Sequence, residues 1–550
     1  MAVVFIYSYR NRSTYLVANL IYKLNDGALK YILHPSVLHI LSVFFTRRLE
    51  DLPSTLPSLY ALSTLIEFYS DDFDPKYFDF IDIAEAVFKG MSVQTYAQNI
   101  RQKVFSLYDE FLSIPTVSSI FREKDYGPIV LEGLIGAMDG EKDPRCLLLA
   151  LKAVGKAVRS FSYVLDENNI SRSEDNLMMI EGAQTASLFA SSIQYPLFVL
   201  PNPAVQSHKV MAGKIFDSVA CYFPITFTPP PDDPFGVTPE ALISALQDSL
   251  CSHVTLLRHH TIPFMISQLC AQDESVLSIA REHSLDILIR AVSVHRHKIL
   301  LSTSSVPDTT EDSSIYSLCE ILNAILSTAD CSPEIRSKSL KLIMEVTSSV
   351  TTLAAKENNN YAENDWTRFN EPLLQMIRKD IMECSDGMKA KCSIEIAFCM
   401  SSVNSISCKL VVDSLLPILI EKARTCATLM QANLQKQVSA AARGINILPS
   451  AEEKISSAPL EFIGRLMTAT KISGREKSLN FSNLSWGNAV SAGDRVALFS
   501  LLASNLLSAN TYVPSPGTED SAKLFVFLPS AEIISFVAES VRAMQELLLS

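Results

Sequence analysis

The side chains with the clearest potential for metal chemistry are cysteines and histidines between positions 251 and 270. Thiolate and imidazole are the ligands that Zn²⁺ prefers, and four of them must converge on one tetrahedral point. The candidates are Cys251, His253, His259, His260 and Cys270. In a helical segment these positions are scattered around the helix and across a turn. We therefore predict no bound metal and no cofactor here.

Two further pairs allow the same test. His295 and His297 are two residues apart, so on a helix they point about 200° away from each other and do not share a metal. Cys392 and Cys399 are seven apart on one helix face, which is typical of an apolar stripe. The 11 cysteines stand singly, without any C-x-x-C spacing. Single cysteines in a long chain indicate a reducing compartment, and we expect the cytoplasm and the nucleus.

Catalytic motifs are absent from the sequence. It holds no phosphate-binding P-loop, no G-x-G-x-x-G after a strand, no H-E-x-x-H and no G-x-S-x-G. The formal net charge is −12, with a pI of about 5.4. Direct binding to nucleic acid depends on Lys and Arg neutralising phosphates, and an anionic membrane surface also repels an acidic chain. We therefore predict a protein that is not an enzyme and contacts neither nucleic acid nor membrane directly.

Residues 139–145 (DGEKDPR) form the first of two unusual motifs. Gly140 follows an apolar segment, residues 129–138, and indicates the end of a helix. Asp143 and Pro144 suit the N-cap and first position of the next helix. That helix has an apolar stripe at helical spacing, formed by Leu147, Leu148, Leu151, Val154 and Val158. The motif predicts a tight turn between two helices.

Residues 221–236 (CYFPITFTPPPDDPFG) form the second motif. Consecutive prolines fix φ and remove backbone donors, so the run is neither a helix nor a central strand. It predicts an extended, polyproline-like strap that ends in a turn around Gly236. Thr238 as N-cap and Pro239 at the first helical position then start another helix.

Two compatible interpretations of the motifs remain open. In one, the strap is rigid and its aromatic side chains pack on neighbouring helices. In the other, the strap is an exposed ligand for a partner domain. The candidate residues, for a structural or a partner-binding role, are Asp139, Glu141, Lys142, Asp143, Arg145, Tyr222, Phe223, Phe227, Pro229, Pro230, Pro231, Asp232 and Asp233.

Composition and periodicity favour an all-α fold. The 550 residues include 17 glycines, well below the usual roughly 7%. Helix pairs recur, and their second helices follow turns that contain Asp, Ser or Pro, as at residues 271–276 and 330–336. Pro263 and Pro417 occupy similar apolar contexts 154 residues apart, close to four units of roughly 40 residues. We predict a HEAT-type α-solenoid, a superhelical array of helix pairs, with one irregular insertion.

We divide the chain into six parts. They are HEAT-like helices (1–160), an irregular insertion (161–205), a helix end with the proline-rich strap (206–237), a HEAT array (238–448), an irregular linker (449–493) and further HEAT helices (494–550). Residues 186–204 are apolar, but their three prolines argue against a membrane span.

The last apolar residues of the sequence, 547–549, have no polar capping repeat after them. We therefore expect a helical array that is cut at this end or that needs a partner at this end.

Both motifs, in this helical setting, resemble one family. Residues 138–145 (MDGEKDPR) and 221–236 carry the resemblance, with weaker similarity near 45–65 and 94–111. The family is the HEAT-repeat adaptor of the cytosolic iron–sulfur assembly targeting complex, also described as a nucleotide-excision-repair and transcription protein. We expect two departures from the family: residues 161–205 have no counterpart in it, and most of its C-terminal HEAT region is missing from this sequence.

The resemblance implies a non-enzymatic scaffold. Its partners would be the other subunits of the targeting complex and apo iron–sulfur proteins of DNA replication, repair and genome integrity, such as polymerases, helicases and primase. The resemblance also implies no cluster of its own, in keeping with the single cysteines. Another HEAT scaffold, such as a transport receptor or a phosphatase-type scaffold with an acidic groove for basic cargo, is the alternative.

Overall fold

In the computed structural model of the chain, the described residues are 2–24, 34–69, 80–165, 203–229, 236–271, 277–296, 318–319, 321–326, 328, 331–356, 361–383, 387–442, 458–473, 496, 499–503, 538, 541–543 and 545. Two compact units divide the chain, Met1–Met265 and Ile266–Ser550. Every regular element in the described ranges is helical.

The first unit is built from short helices. They are α1 (Ala2–Leu24), α2 (Pro35–Arg48), α3 (Leu52–Tyr69), α4 (Phe80–Ala84), α5 (Gln98–Leu112), α6 (Pro115–Glu123), α7 (Gly127–Met138), α8 (Pro144–Ser160), α9 (Pro203–Ala220), α10 (Pro239–Leu250) and α11 (Val254–Leu256). A π-helical turn, Glu85–Lys89, continues α4, and a second, Leu257–Thr261, leads into α12 (Ile262–Cys270). Pro263 is the second residue of α12.

These helices lie in two layers. In one layer, α1, α3, α5, α8 and α10 each pack on the next. The other layer contains α2, α4 with its π-helical turn, α7 and α9. These elements pack on one another and on the first layer. The predicted stripe of α8 is confirmed, because Leu147, Leu151, Val154 and Val158 are buried between the layers and Leu148 is half-buried.

The second unit repeats this plan with longer helices. They are α13 (Leu277–His295), α14 (Pro333–Lys356), α15 (Tyr361–Glu383), α16 (Gly387–Ser402), α17 (Ser405–Ala442) and α18 (Ala458–Ser473). One layer runs α13, α14, α16, α18, and α15 packs on α17 in the other. Ser332 accepts a hydrogen bond from the Ile335 amide at the start of α14, as the polar turn predicted. The fold is a HEAT-type α-solenoid, as predicted.

Two local predictions are wrong. The sequence predicts a helix over residues 56–69 that is opened by Pro57, but α3 begins at Leu52, because Asp51 accepts hydrogen bonds from Ser54 and Thr55 and supports an earlier turn. Within 449–493, predicted to be irregular, Ala458–Ser473 form α18, whose apolar face packs on α16 and α17.

The predicted insertion, 161–205, is only partly described. Its first residues form a packed 3₁₀ turn, Ser162–Val164, and its last ones begin α9 at Pro203. Residues 166–202, with most of the apolar stretch 186–204, lie outside the described residues. Within the described part of the chain, no helix has the length and hydropathy to cross a membrane.

Candidate functional site

The fold brings the two sequence motifs together. The Tyr222 hydroxyl donates a hydrogen bond of 2.6 Å to the carbonyl oxygen of Met138, which is the last residue of α7. Because 84 residues separate these partners, only the packing of α7 beside α9 places them side by side. The first motif and the start of the strap therefore form one continuous site at the same end of the two helices.

The turn after α7 is built around Glu141. Gly140 has φ +68°, a left-handed conformation that glycine adopts without a steric penalty, which confirms it as the helix stop. The Glu141 amide then donates to the Met138 carbonyl at 3.0 Å. The Glu141 carboxylate accepts hydrogen bonds from the Lys142 and Asp143 amides, at 3.0 and 2.9 Å. The buried carboxylate thus holds the chain that leads into α8.

Arg101 neutralises this carboxylate. Its guanidinium donates to both Glu141 oxygens, at 2.8 and 2.9 Å, and to the Tyr96 carbonyl at 2.9 Å. The hydrogen bond to Glu141 raises the pKa of Arg101. Since Glu141 is only 7% exposed, this bidentate pair is a buried ion pair and makes the turn part of the core.

Asp143 and Arg145 form a second pair. Asp143 caps α8 by accepting from the Arg145 amide at 3.0 Å, which confirms the predicted N-cap. The Arg145 side chain bonds the same carboxylate at 3.0 and 2.7 Å, and these hydrogen bonds lower the pKa of Asp143. Asp139 and Lys142, in contrast, are exposed.

Two residues that complete the turn lie outside both motifs. Arg101 is on α5, and Gln94, in a 3₁₀ turn before it, donates to the Gly136 and Asp139 carbonyls at 2.8 and 2.7 Å. Neither Arg101 nor Gln94 was predicted from the sequence as a residue of this site. A buried carboxylate in a turn needs a cationic partner, which the sequence could have indicated. Which of the chain's 47 Lys and Arg residues is that partner depends on the fold, which places Arg101 beside Glu141.

The second motif begins with a packed aromatic segment. Phe223 lies edge-on to Phe264, with ring centroids 5.7 Å apart, and Phe264 contacts Phe216 in the same way at 5.4 Å. Tyr222, Phe223 and Phe227 are all half-buried. The structure therefore supports the packing interpretation for Tyr222 and Phe223.

The strap follows and is described as far as Pro229. Residues 223–229 are non-helical, as predicted, and Pro229 is half-buried. Gly236 has φ +65°, and Thr238 caps α10 by accepting from the Ala241 amide at 3.2 Å. The candidates Pro230, Pro231, Asp232 and Asp233 lie outside the described residues.

The cysteine and histidine candidates serve separate local roles. His253 caps α11 through Nδ1, which accepts from the Thr255 amide at 3.2 Å. His260 stacks on Phe216, with centroids 5.5 Å apart, Cys251 is buried and Cys270 is exposed. No group of three or more metal-ligating side chains with the geometry of a site occurs among the described residues.

Tyr222 provides a test of the junction between the motifs by pH. Burial, with neighbouring negative groups, raises the pKa of its hydroxyl from 10.0 to about 12. The unfolded chain therefore releases this proton first, so the free energy of unfolding falls as pH rises from about 10 towards 12. We expect Tyr222→Phe to flatten this fall, measured by urea unfolding from pH 8 to 11.5. Equal pH slopes in the wild type and the variant would contradict the assignment.

Comparison with known proteins bears directly on both motifs. The family model MMS19_N, described as Dos2-interacting transcription regulator of RNA-Pol-II, matches residues 7–306. The match covers more than half of the 550 residues and includes both motifs. The chain belongs to this family. Membership in the MMS19 family confirms the resemblance that the motifs indicated.

Curated relatives match about half of the chain. The mouse MMS19 nucleotide excision repair protein homolog is 30% identical over 268 residues, 48% of this chain and 20% of the relative. Its human counterpart is 29% identical over 273 residues, 49% of this chain and 21% of the relative. The Arabidopsis thaliana homolog is 22% identical over 256 residues, 46% of this chain and 18% of the relative. The match thus spans about a fifth of the length of these relatives.

Solved structures that align with the chain have low sequence identity to it and low TM-scores. An importin beta crystal structure aligns with a TM-score of 0.33 and 13% identity, over 98% of this chain and 63% of that one. A circular tandem repeat protein aligns with a TM-score of 0.23 and 11% identity, over 98% of each chain.

Proposed function

We propose that this chain is a non-catalytic adaptor of the cytosolic iron–sulfur assembly machinery, acting in the cytoplasm and nucleus. Its partners are the other subunits of the targeting complex and apo iron–sulfur proteins of DNA replication, repair and genome integrity. The observation that carries the proposal is the MMS19 family match, which contains both motifs in one folded site. The relatives' name, nucleotide excision repair protein homolog, supports the link to DNA metabolism.

The physical character of the site supports a scaffold. The charged side chains of the turn hydrogen-bond one another and backbone groups, so they build a rigid turn; they are Glu141, Asp143, Arg101 and Arg145. A solenoid of stacked helix pairs presents extended surfaces for partner proteins. The net charge of −12 disfavours direct contact with nucleic acid or an anionic membrane, and the proposal includes neither.

The test is affinity purification of the tagged chain from cells, with mass spectrometry and iron quantification of the eluate. We expect targeting subunits and iron–sulfur clients, without stoichiometric iron on the chain itself. A variant with Asp139→Lys and Lys142→Glu, both at exposed positions, examines whether the turn contributes to recovery. Recovery of nuclear-transport factors or of a phosphatase instead would replace the proposal with the alternative scaffold. Stoichiometric iron would overturn the absence of a cluster.

A further inference from the structure

The described part of the strap, residues 223–229, contains a stretch of backbone that makes no hydrogen bond to the other described residues. The Phe223 amide bonds the Ala220 carbonyl at 3.0 Å and so belongs to the end of α9. Beyond it, the amides and carbonyls of residues 225–228 make no hydrogen bond to any described residue, and no strand pairs with them there. Backbone groups without a protein partner pair with water or stay open to another chain, and the exposed residues Thr226 and Thr228 place this stretch at the surface.

The side chains of this stretch alternate as in an edge strand. Ile225 is buried and Phe227 half-buried, whereas Thr226 and Thr228 are exposed. A two-residue period with one packed face and one solvated face is the pattern of a strand at the edge of a sheet. The stretch therefore offers a ready template for another extended chain.

Prolines set its length. Pro224 and Pro229 have no amide hydrogen, so four donors, those of residues 225–228, lie between them. A template this short cannot nucleate a sheet, and proline at both ends limits uncontrolled edge-to-edge association. It matches a short peptide segment, and backbone pairing of that kind is a recurring mode of recognition.

The charges beside the strap select the kind of peptide. The nearby cations Arg101, Arg145 and Lys214 are already paired, with Glu141, Asp143 and Glu132 respectively. Asp139, whose charge acts on Cys221 and Tyr222, is exposed, as is Asp217, whose carbonyl accepts from the Cys221 amide. Within the turn 139–143, Lys142 is the exposed cation. Carboxylates therefore exceed free cations where the strap begins.

We propose that residues 225–228 bind an extended, basic peptide segment of a partner protein by β-strand addition. Main-chain hydrogen bonds supply the affinity, and Asp139 and Asp217 favour lysine or arginine in the added strand. The inference deepens the proposed function and rests on it only for the identity of the partner, which would be a client or a targeting subunit.

The test uses the full chain and a blocked eight-residue peptide of alternating lysine and valine. We expect it to slow amide hydrogen exchange by at least about tenfold at alternate residues of this stretch, either 225 and 227 or 226 and 228, because only the amides on the paired edge become hydrogen-bonded. Two control peptides have the same sequence with every second backbone nitrogen methylated, one at the odd and one at the even positions. Each control peptide therefore lacks the N–H donors of one of its two edges. One of the two control peptides should bind at least about tenfold more weakly than the unmodified peptide.

Charge is tested separately. The double variant Asp139→Asn with Asp217→Asn should weaken binding by roughly fivefold, whereas Glu123→Gln, at an exposed position on α6, should leave it unchanged. A peptide with glutamate in place of lysine should not bind.

Unchanged exchange at residues 225–228 under saturating peptide would overturn the proposal, as would equal affinity for both control peptides and the unmodified peptide. Protection of the strap by an SH3 domain instead would also overturn it and assign the strap as a polyproline ligand. Peptide binding without recovery of iron–sulfur partners would leave this inference standing and remove the proposed function. Recovery of iron–sulfur partners without any binding of the peptide would remove this inference and leave the proposed function standing.

Discussion

Glu141→Ala is expected to lower the free energy of unfolding by about 3 kcal/mol, because it leaves the Arg101 guanidinium without its partner in a partly buried site. The same change removes the acceptor for the Lys142 and Asp143 amides. Arg101 has 20% of its side chain exposed and Glu141 3%, so water replaces little of the lost interaction. Chemical denaturation with a probe in the first unit measures the change.

Lys142→Ala is the matched control. Lys142 neighbours Glu141 in the same turn, but its side chain is exposed, so we expect a change within about 0.5 kcal/mol. The double variant Arg101→Met with Glu141→Leu removes both charges, and we expect it to be more stable than Glu141→Ala alone. If Glu141→Ala and Lys142→Ala had equal effects, the buried pair would not hold the turn.

Gly133→Ala is expected to destabilise the first unit by about 2–3 kcal/mol, because α7 lies against the π-helical turn at this glycine. A Cβ at position 133 would stand 2.4 Å from the Phe88 carbonyl oxygen and 3.2 Å from the Tyr108 hydroxyl. The closer atom belongs to the backbone, and Phe88 is itself stacked on Tyr108, with centroids 3.7 Å apart. Relief therefore requires the helix to move.

Gly136→Ala controls for the change in helix propensity. It lies one turn further along α7, and an added Cβ there meets nothing within 4 Å. Alanine in a helix interior is favoured over glycine by roughly 0.5–1 kcal/mol, so we expect no loss and a small gain in stability. Thermal unfolding of the two variants side by side gives the comparison. A similar fall for both would mean that the Phe88 contact does not decide the packing.

The helical architecture and its local ends were predictable from the sequence, because they depend on neighbours in the chain. Gly140, Asp143 with Pro144, and Thr238 with Pro239 act through backbone conformation and capping within one turn. The family, too, followed from the two motifs, since their residue order is unlike that of an ordinary amphipathic helix.

The start of α3 and the whole of α18 were not predictable in the same way. Pro57 has a strong local preference for the beginning of a helix, but Ser54 and Thr55 bond Asp51 and extend α3 back to Leu52. Ala458–Ser473 has a weak local pattern, and its burial against α16 and α17 stabilises the helix. Most helical stability comes from such packing, and propensity contributes less.

The sequence by itself determined the α-solenoid class, the turn after α7 and the extended strap, since each follows from short-range sterics and hydrogen bonding. Only the tertiary structure decided that Arg101 meets Glu141 and that Tyr222 bonds Met138, 40 and 84 residues away in sequence. Long-range partners depend on which helices become neighbours, and that is set by the burial of whole faces. The same packing turned two separate motifs into one site and left the backbone of residues 225–228 without a hydrogen bond to any residue that the structure describes.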